Sequence, residues 1–196
     1  MVEGRRAAML LAVVAALAAV TYLVPALQFG PLDRDGEEAR VGDAPTRGCA
    51  HARDEPRDGL GEAERATLCL LNAERRRHGL GKLRPDRALR RAALRHSEDM
   101  IERDFFEHEN PDGLGPHERI LRAGYEPDPA GFSTGENLAT GDPGTPAAMV
   151  DGWMHSPGHR RNILRPGFEE IGIGIVPRHQ EGGPGATYTT TFGGRS

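Results

Sequence analysis

The chain is nearly without lysine. Lys82 is the only one, and arginine carries the rest of the positive charge. The formal net charge of -4 leaves no positive field that would favour nucleic acid. No Walker loop, no G-x-G-x-x-G after a strand and no zinc-finger cysteine pair occurs, which removes the commonest phosphate, dinucleotide and zinc-finger readings. Cysteine is scarce as well: Cys49 and Cys69 are the two, and they form no C-x-x-C. The sequence also lacks H-E-x-x-H. Its nearest approach is "HSPGH", His155 to His159. Ser, Pro and Gly fill the middle, so no glutamate base stands there. Pro157 also disfavours helical geometry at Ser156. Ser156 reads instead as the cap of a new short helix with Pro157 at its first position, placing His155 and His159 on different elements.

What is present begins with an apolar run from Ala7 to Leu27, preceded by Arg5 and Arg6. A bilayer-spanning helix needs about 20 apolar residues, whereas a cleaved signal has an apolar region of roughly 7–15. Ala16-Leu17-Ala18 resembles a cleavage site, but apolar residues continue past it. Residues 1–29 therefore read as an uncleaved membrane anchor rather than a signal sequence. The arginines place the N-terminus in the cytoplasm and the rest of the chain outside the membrane. In that setting two cysteines read as a disulfide. It closes a loop of about 20 residues and contributes roughly 3 kcal/mol. Residues 30–59 are charged and rich in Gly and Pro, which reads as a disordered linker.

Residues 60–196 form the folded domain. "GEAERATLCLLNAERRRHGLGKL" places Ala66, Leu70, Leu71 and Ala73 on one side of a helix, and Glu64, Arg65, Asn72, Arg75 and Arg76 on the other. "PDRALRRAALRHSEDMIERDFF" is a second helix, capped by Asp86, with Leu89, Ala93, His96 and Met100 in one stripe. "GPHERILRAGY" is a third, stopped by Gly124. "GTPAAMVDGWM" is a fourth, with Thr145 as cap. The last third changes character. "EEIGIGIVP" alternates isoleucine with glycine, giving a strand with one large and one bare face, and "ATYTTTFG" pairs with it as a hairpin. Helices first and a hairpin last predict an α+β fold with an antiparallel sheet.

Five of the eight histidines, His96, His108, His117, His155 and His159, fall between residues 96 and 159. Clustered His and Glu bind zinc or perform acid/base chemistry, but these spacings alone equally suit unrelated surface residues. The motifs "LLNAERRRHGL", "FFEHENPDG", "GENLA", "WMHSPGHRRNIL", "FEEIGIGI" and "YTTTFG" occur in this order over about residues 62–194. Together they resemble the CAP superfamily (the SCP domain of cysteine-rich secretory proteins, insect venom allergens and plant pathogenesis-related proteins), and within it the bacterial extracytoplasmic branch.

The resemblance implies a three-layer α-β-α sandwich around a central antiparallel sheet. It also implies a cleft with two histidines and two glutamates, which in some members holds zinc or another divalent metal. By motif position His108 is the first histidine, Glu136 the first glutamate and His159 the second histidine. The second glutamate would fall at Ser156, so one acid is missing. The cleft and metal candidates are thus His108, Glu136 and His159, with Asn137, Ser156 and His96 in support. Glu136 is either a third ligand or a hydrogen-bond acceptor, or else it holds a turn at Gly135 with the help of Asn137. His96, on its apolar stripe, reads as a buried hydrogen-bonded residue, and His117 and His155 as surface residues. Trp153 and the Phe105–Phe106 pair read as core. The expected function is a non-catalytic module outside the membrane that binds a lipid, sterol or peptide. The alternative is a metal-dependent, peptidase-like hydrolase using the same cleft, and a third reading is an envelope domain with an idle cleft. The fold by itself implies no chemistry.

Overall fold

The computed structural model describes residues 46–57, 60–126, 131–179 and 182–195. The apolar N-terminal run and most of the linker lie outside the described residues. Among the described residues no helix is long and apolar enough to cross a membrane.

Among the described residues five helices and four strands follow in the order α1 (Leu60–Arg77), β1 (Arg84–Pro85), α2 (Arg87–Glu102), α3 (Pro116–Arg122), β2 (Phe132–Gly141), α4 (Pro146–His155), α5 (Pro157–Ile163), β3 (Glu170–Val176) and β4 (Ala186–Arg195). The strands form one sheet in the order β1-β3-β4-β2. β2, β4 and β3 pair antiparallel, and the two-residue β1 joins β3 in parallel. Helices α1, α4 and α5 cover one face, and α2 and α3 the other. This is the α-β-α sandwich.

The caps follow from sequence. Asp86 Oδ1 accepts from the amides of Ala88 at 2.8 Å and Leu89 at 2.9 Å, and the Thr145 hydroxyl accepts from Ala148 N at 3.3 Å. Ser156 occupies the N-cap position of α5, but its side chain makes no capping bond. The stripe Leu89, Ala93, His96 and Met100 is buried throughout. On β3, Ile171, Ile173 and Ile175 enter the larger core cluster with Leu70, Trp153 and Tyr188. The bare face of β3 meets the backbone of α2 rather than a ligand. A Cβ added at Gly172 would stand 2.0 Å from the Leu89 carbonyl carbon, and one at Gly174 2.2 Å from Leu94 N. The threonines of β4 are buried yet partnered: Ser97 Oγ donates to Thr189 Oγ1 at 2.8 Å, and Thr191 Oγ1 donates to Leu89 O at 2.9 Å.

Three expectations are corrected. The linker boundary at residue 59 is too late, because Cys49 and Ala52 are buried in the main core cluster and Ala52 O accepts from Ala147 N at 2.8 Å. Arg75 does not share a solvated face; it is 1% exposed. Its guanidinium donates to the carbonyls of Gly81 (2.7 Å), Ile163 (2.8 Å), Arg165 (3.0 Å) and Phe168 (2.8 Å). A cation is tolerated inside when each of its nitrogens donates, and these bonds hold the segment after α5 against α1. Finally, Phe105 and Phe106 do not join the core as Trp153 does. Phe105 is half-buried against His96, and Phe106 is 37% exposed, because α2 has already ended at Glu102.

Cys49 and Cys69 form the disulfide, 20 residues apart, tying the segment before α1 to that helix. Replacing both by serine is expected to lower stability by about 3 kcal/mol, read as the shift in a urea unfolding curve. The variant should also lose the wild type's sensitivity to reductant.

Candidate functional site

The "GENLA" motif lies on a strand, not at a turn. β2 runs through it with continuous register against β4, Glu136 opposite Thr191 and Asn137 opposite Thr190. Alternation along the strand then sends the two side chains to opposite faces. Glu136 enters the α2–α3 side and Asn137 the α4–α5 side. Gly135 is required because a Cβ there would stand 2.9 Å from the Phe168 ring. β2 is also the outer strand of the sheet, so both side chains sit at an edge that loops from either layer can reach.

Glu136 is 6% exposed. His108 Nδ1 lies 2.8 Å from its Oε1, and Arg119 donates to its Oε2 at 2.7 Å. Arg119 also donates to the carbonyls of His108 and Leu114, both at 2.7 Å, which sets the loop carrying His108. Asn110 shapes that loop by accepting from the amides of Asp112 and Leu114. On the other side of the strand, Asn137 donates to His159 O at 3.1 Å. Asn162 donates to both Glu136 O and Asn137 Oδ1.

The sequence reading thus located His108, Glu136, Asn137 and His159 at one edge. It missed Arg119 and Asn162. Arg119 carries no local signal, since it lies on the short α3 and its role exists only because α3 packs near β2. Asn162 stands inside the quoted "HRRNIL", but its two bonds require β2 to be a strand.

His96 is fully buried. Its Nε2 stands 3.0 Å from Glu107 O and 3.9 Å from Glu136 Oε1. Because a carbonyl only accepts, Nε2 carries the proton and Nδ1 is a bare acceptor, which has no partner among the described residues. His96 therefore packs under the site rather than lining it. Ser156 lies at the α4–α5 junction and lines a groove with His159. His155 and His117 are exposed, the first bonded to Asp151 O and the second stacked on Phe132.

The imidazoles titrate in opposite senses. The hydrogen bond to Glu136 raises His108 above its ordinary range, against a smaller effect of burial. Burial lowers His159, and the charge of nearby His108 adds to that. Burial likewise lowers His96. A raised imidazole stabilises the fold when protonated. That contribution is fully present below the unfolded value of about 6.5 and fades as pH rises through the raised folded value. The destabilisation caused by His108→Ala should accordingly be larger near pH 6 than near pH 9. Paired thermal melts of variant and wild type at both values test this. A difference independent of pH would contradict it.

The resemblance allows a divalent ion at this edge. Both oxygens of Glu136 are engaged, and His108 Nδ1 faces the carboxylate. His108 Nε2 and the His159 ring are the donors left. Among the described residues no group of three or more His, Cys, Asp or Glu side chains is placed to hold an ion. Glu136 accepts from Arg119 and pairs with His108. Its place is behind His108, orienting it.

The family model described as "CAP: Cysteine-rich secretory protein family" matches residues 68–191. YkwD of Bacillus subtilis is 39% identical over 113 residues, covering 58% of this chain and 42% of that protein. The membrane protein YlbC of the same organism is 34% identical over 113 residues, covering 58% of this chain and 31% of that protein. The chain thus spans less than half the length of either relative. The crystal structure of an extracellular Bacillus anthracis protein containing an SCP domain superposes with a TM-score of 0.60 at 28% identity. It covers 69% of this chain and 41% of that one. With the sandwich, the disulfide and the His108–Glu136–His159 edge in place, the chain belongs to the CAP family of cysteine-rich secretory proteins.

Proposed function

We propose that this chain acts outside the cytoplasmic membrane as a non-catalytic module that binds a ligand or partner at the β2 edge. The observation that carries the reading is the commitment of Glu136. It is buried, and His108 and Arg119 occupy both its oxygens. A general base must be free to take a proton from water or substrate, and Ser156 supplies no second acid. A groove of about 360 Å³ beside His159, lined by Leu138, Met149, Gly152 and Trp153, offers the binding surface instead. The location is supported by Arg5 and Arg6 ahead of the apolar run, by the disulfide, and by similarity to an extracellular protein and a membrane protein.

The test is hydrolysis by the full chain of labelled peptide and ester mixtures, with and without zinc, beside His108→Ala and His159→Ala. No turnover that the variants lack is expected. Zinc-dependent turnover lost in both variants would restore the hydrolase reading.

A further inference from the structure

The side of β2 away from β4 carries no other strand. In an antiparallel pair the N–H and C=O of one residue point the same way, and successive residues alternate. Side chains identify the outward set here. Trp153 Nε1 donates to Leu138 O at 2.8 Å, and Asn162 Nδ2 donates to Glu136 O at 3.0 Å. The amides of Glu136 and Leu138 therefore also face outward, and neither meets an acceptor among the described residues. Leu138 is only 6% exposed. The Leu138 amide borders the groove beside α4 and can donate to a ligand seated there.

The groove beside this edge runs between Leu138–Asp142 and α4. Ala148, Gly152 and Ser156 recur every fourth residue on the helical wall, and Met149 and Trp153 line the same wall. A Cβ added at Gly152 would meet nothing within 4 Å. Small residues thus leave open the side on which a further strand would lie, about 4.8 Å from β2. Apart from Asp142 at one end and His159 at the other, the lining carries no ionisable side chain.

We propose that this groove takes an extended, uncharged peptide segment of a protein partner, which adds to β2 as a fifth strand. A partner carbonyl accepts from Leu138 N–H, and the side chain beside it rests on Met149 and the α4 wall. This is β-strand addition, with the backbone supplying affinity and the groove supplying selectivity. A lipid chain fills the groove but offers the amides no row of carbonyls, so the edge favours a peptide. The proposal rests on the binding-module reading and names its partner class.

The test uses the full chain in detergent micelles and a random library of end-blocked ten-residue peptides. Selected sequences are resynthesised. Binding should slow exchange of the Leu138 amide about tenfold or more. Gly152→Phe, which fills the groove, should weaken binding about tenfold or more. On the wild type, N-methylation of the peptide at alternate residues should abolish binding in one register and not in the other. Full affinity for Gly152→Phe, insensitivity to N-methylation, or selection of no peptide overturns the proposal. Phosphatidylcholine vesicles or oleate bound in a Gly152→Phe-sensitive manner, without peptide binding, would overturn the strand but keep the binding module. A concentration-dependent dimer lost in Gly152→Phe would assign the edge to a second copy of the chain instead.

Discussion

Arg75→Met is expected to destabilise the domain by about 3–5 kcal/mol. Methionine fills much of the arginine volume, so the cost is not chiefly a cavity. It comes mainly from the buried carbonyls of Ile163 and Phe168, which lose their donor, while those of Gly81 and Arg165 lie on exposed residues that water can reach. Arg75→Lys should recover only part of the loss, because an ammonium donates from one point and cannot fan across acceptors on two segments. Denaturant unfolding measures both variants. The loosening should be local as well: residues 163–168, which carry three of the four acceptors, should exchange amide protons faster than the β4 amides. Equal stability of Arg75→Met and wild type would mean that the carbonyls find other partners.

Gly174→Val is expected to be more severe and to prevent folding under ordinary conditions. The added Cβ would stand 2.2–2.4 Å from the backbone of Ala93 and Leu94. Backbone cannot rotate away as a side chain can, so α2 must lift from the sheet. That exposes the buried stripe of Leu89, Ala93 and Met100, and overpacking with lost burial exceeds about 4 kcal/mol. Gly174→Ala should be nearly as damaging, since Cβ is the offending atom. Gly152→Ala, where Cβ meets open space, should be neutral or slightly stabilising because alanine favours a helix. Circular dichroism and soluble yield distinguish these outcomes. A folded, stable Gly174→Val would show that α2 does not need its close seat on β3.

Local chemistry made much of the fold legible. Asp86 and Thr145 announce their helices by side-chain capping, Pro157 forces a break, and the Ile-Gly alternation of β3 assigns one face to a core and the other to a close neighbour. The motif order was legible too, and it brought His108, Glu136 and His159 together before any coordinates. β2 was not legible. "FSTGENLATG" is rich in Gly, Ser and Asn, which locally favour turns, and its partner β4 lies about 50 residues later. Pairing and burial of its middle outweigh propensity. The same cause hid the state of Glu136: read at a turn it was a candidate base or ligand, whereas on a strand it points inward to Arg119.

Sequence by itself determined the helix starts, the glycine face of β3, the disulfide pair and the family, because each rests on neighbouring residues or on their order. Tertiary structure alone decided that Arg75 is buried, that Glu136 is held at both oxygens, and that no further strand pairs with the outer edge of β2 among the described residues. Those depend on which distant segments the chain brings within hydrogen-bond reach. Hydrogen bonds act over about 3 Å, so a donor's role is set by what folding places beside it and not by the residues that precede it.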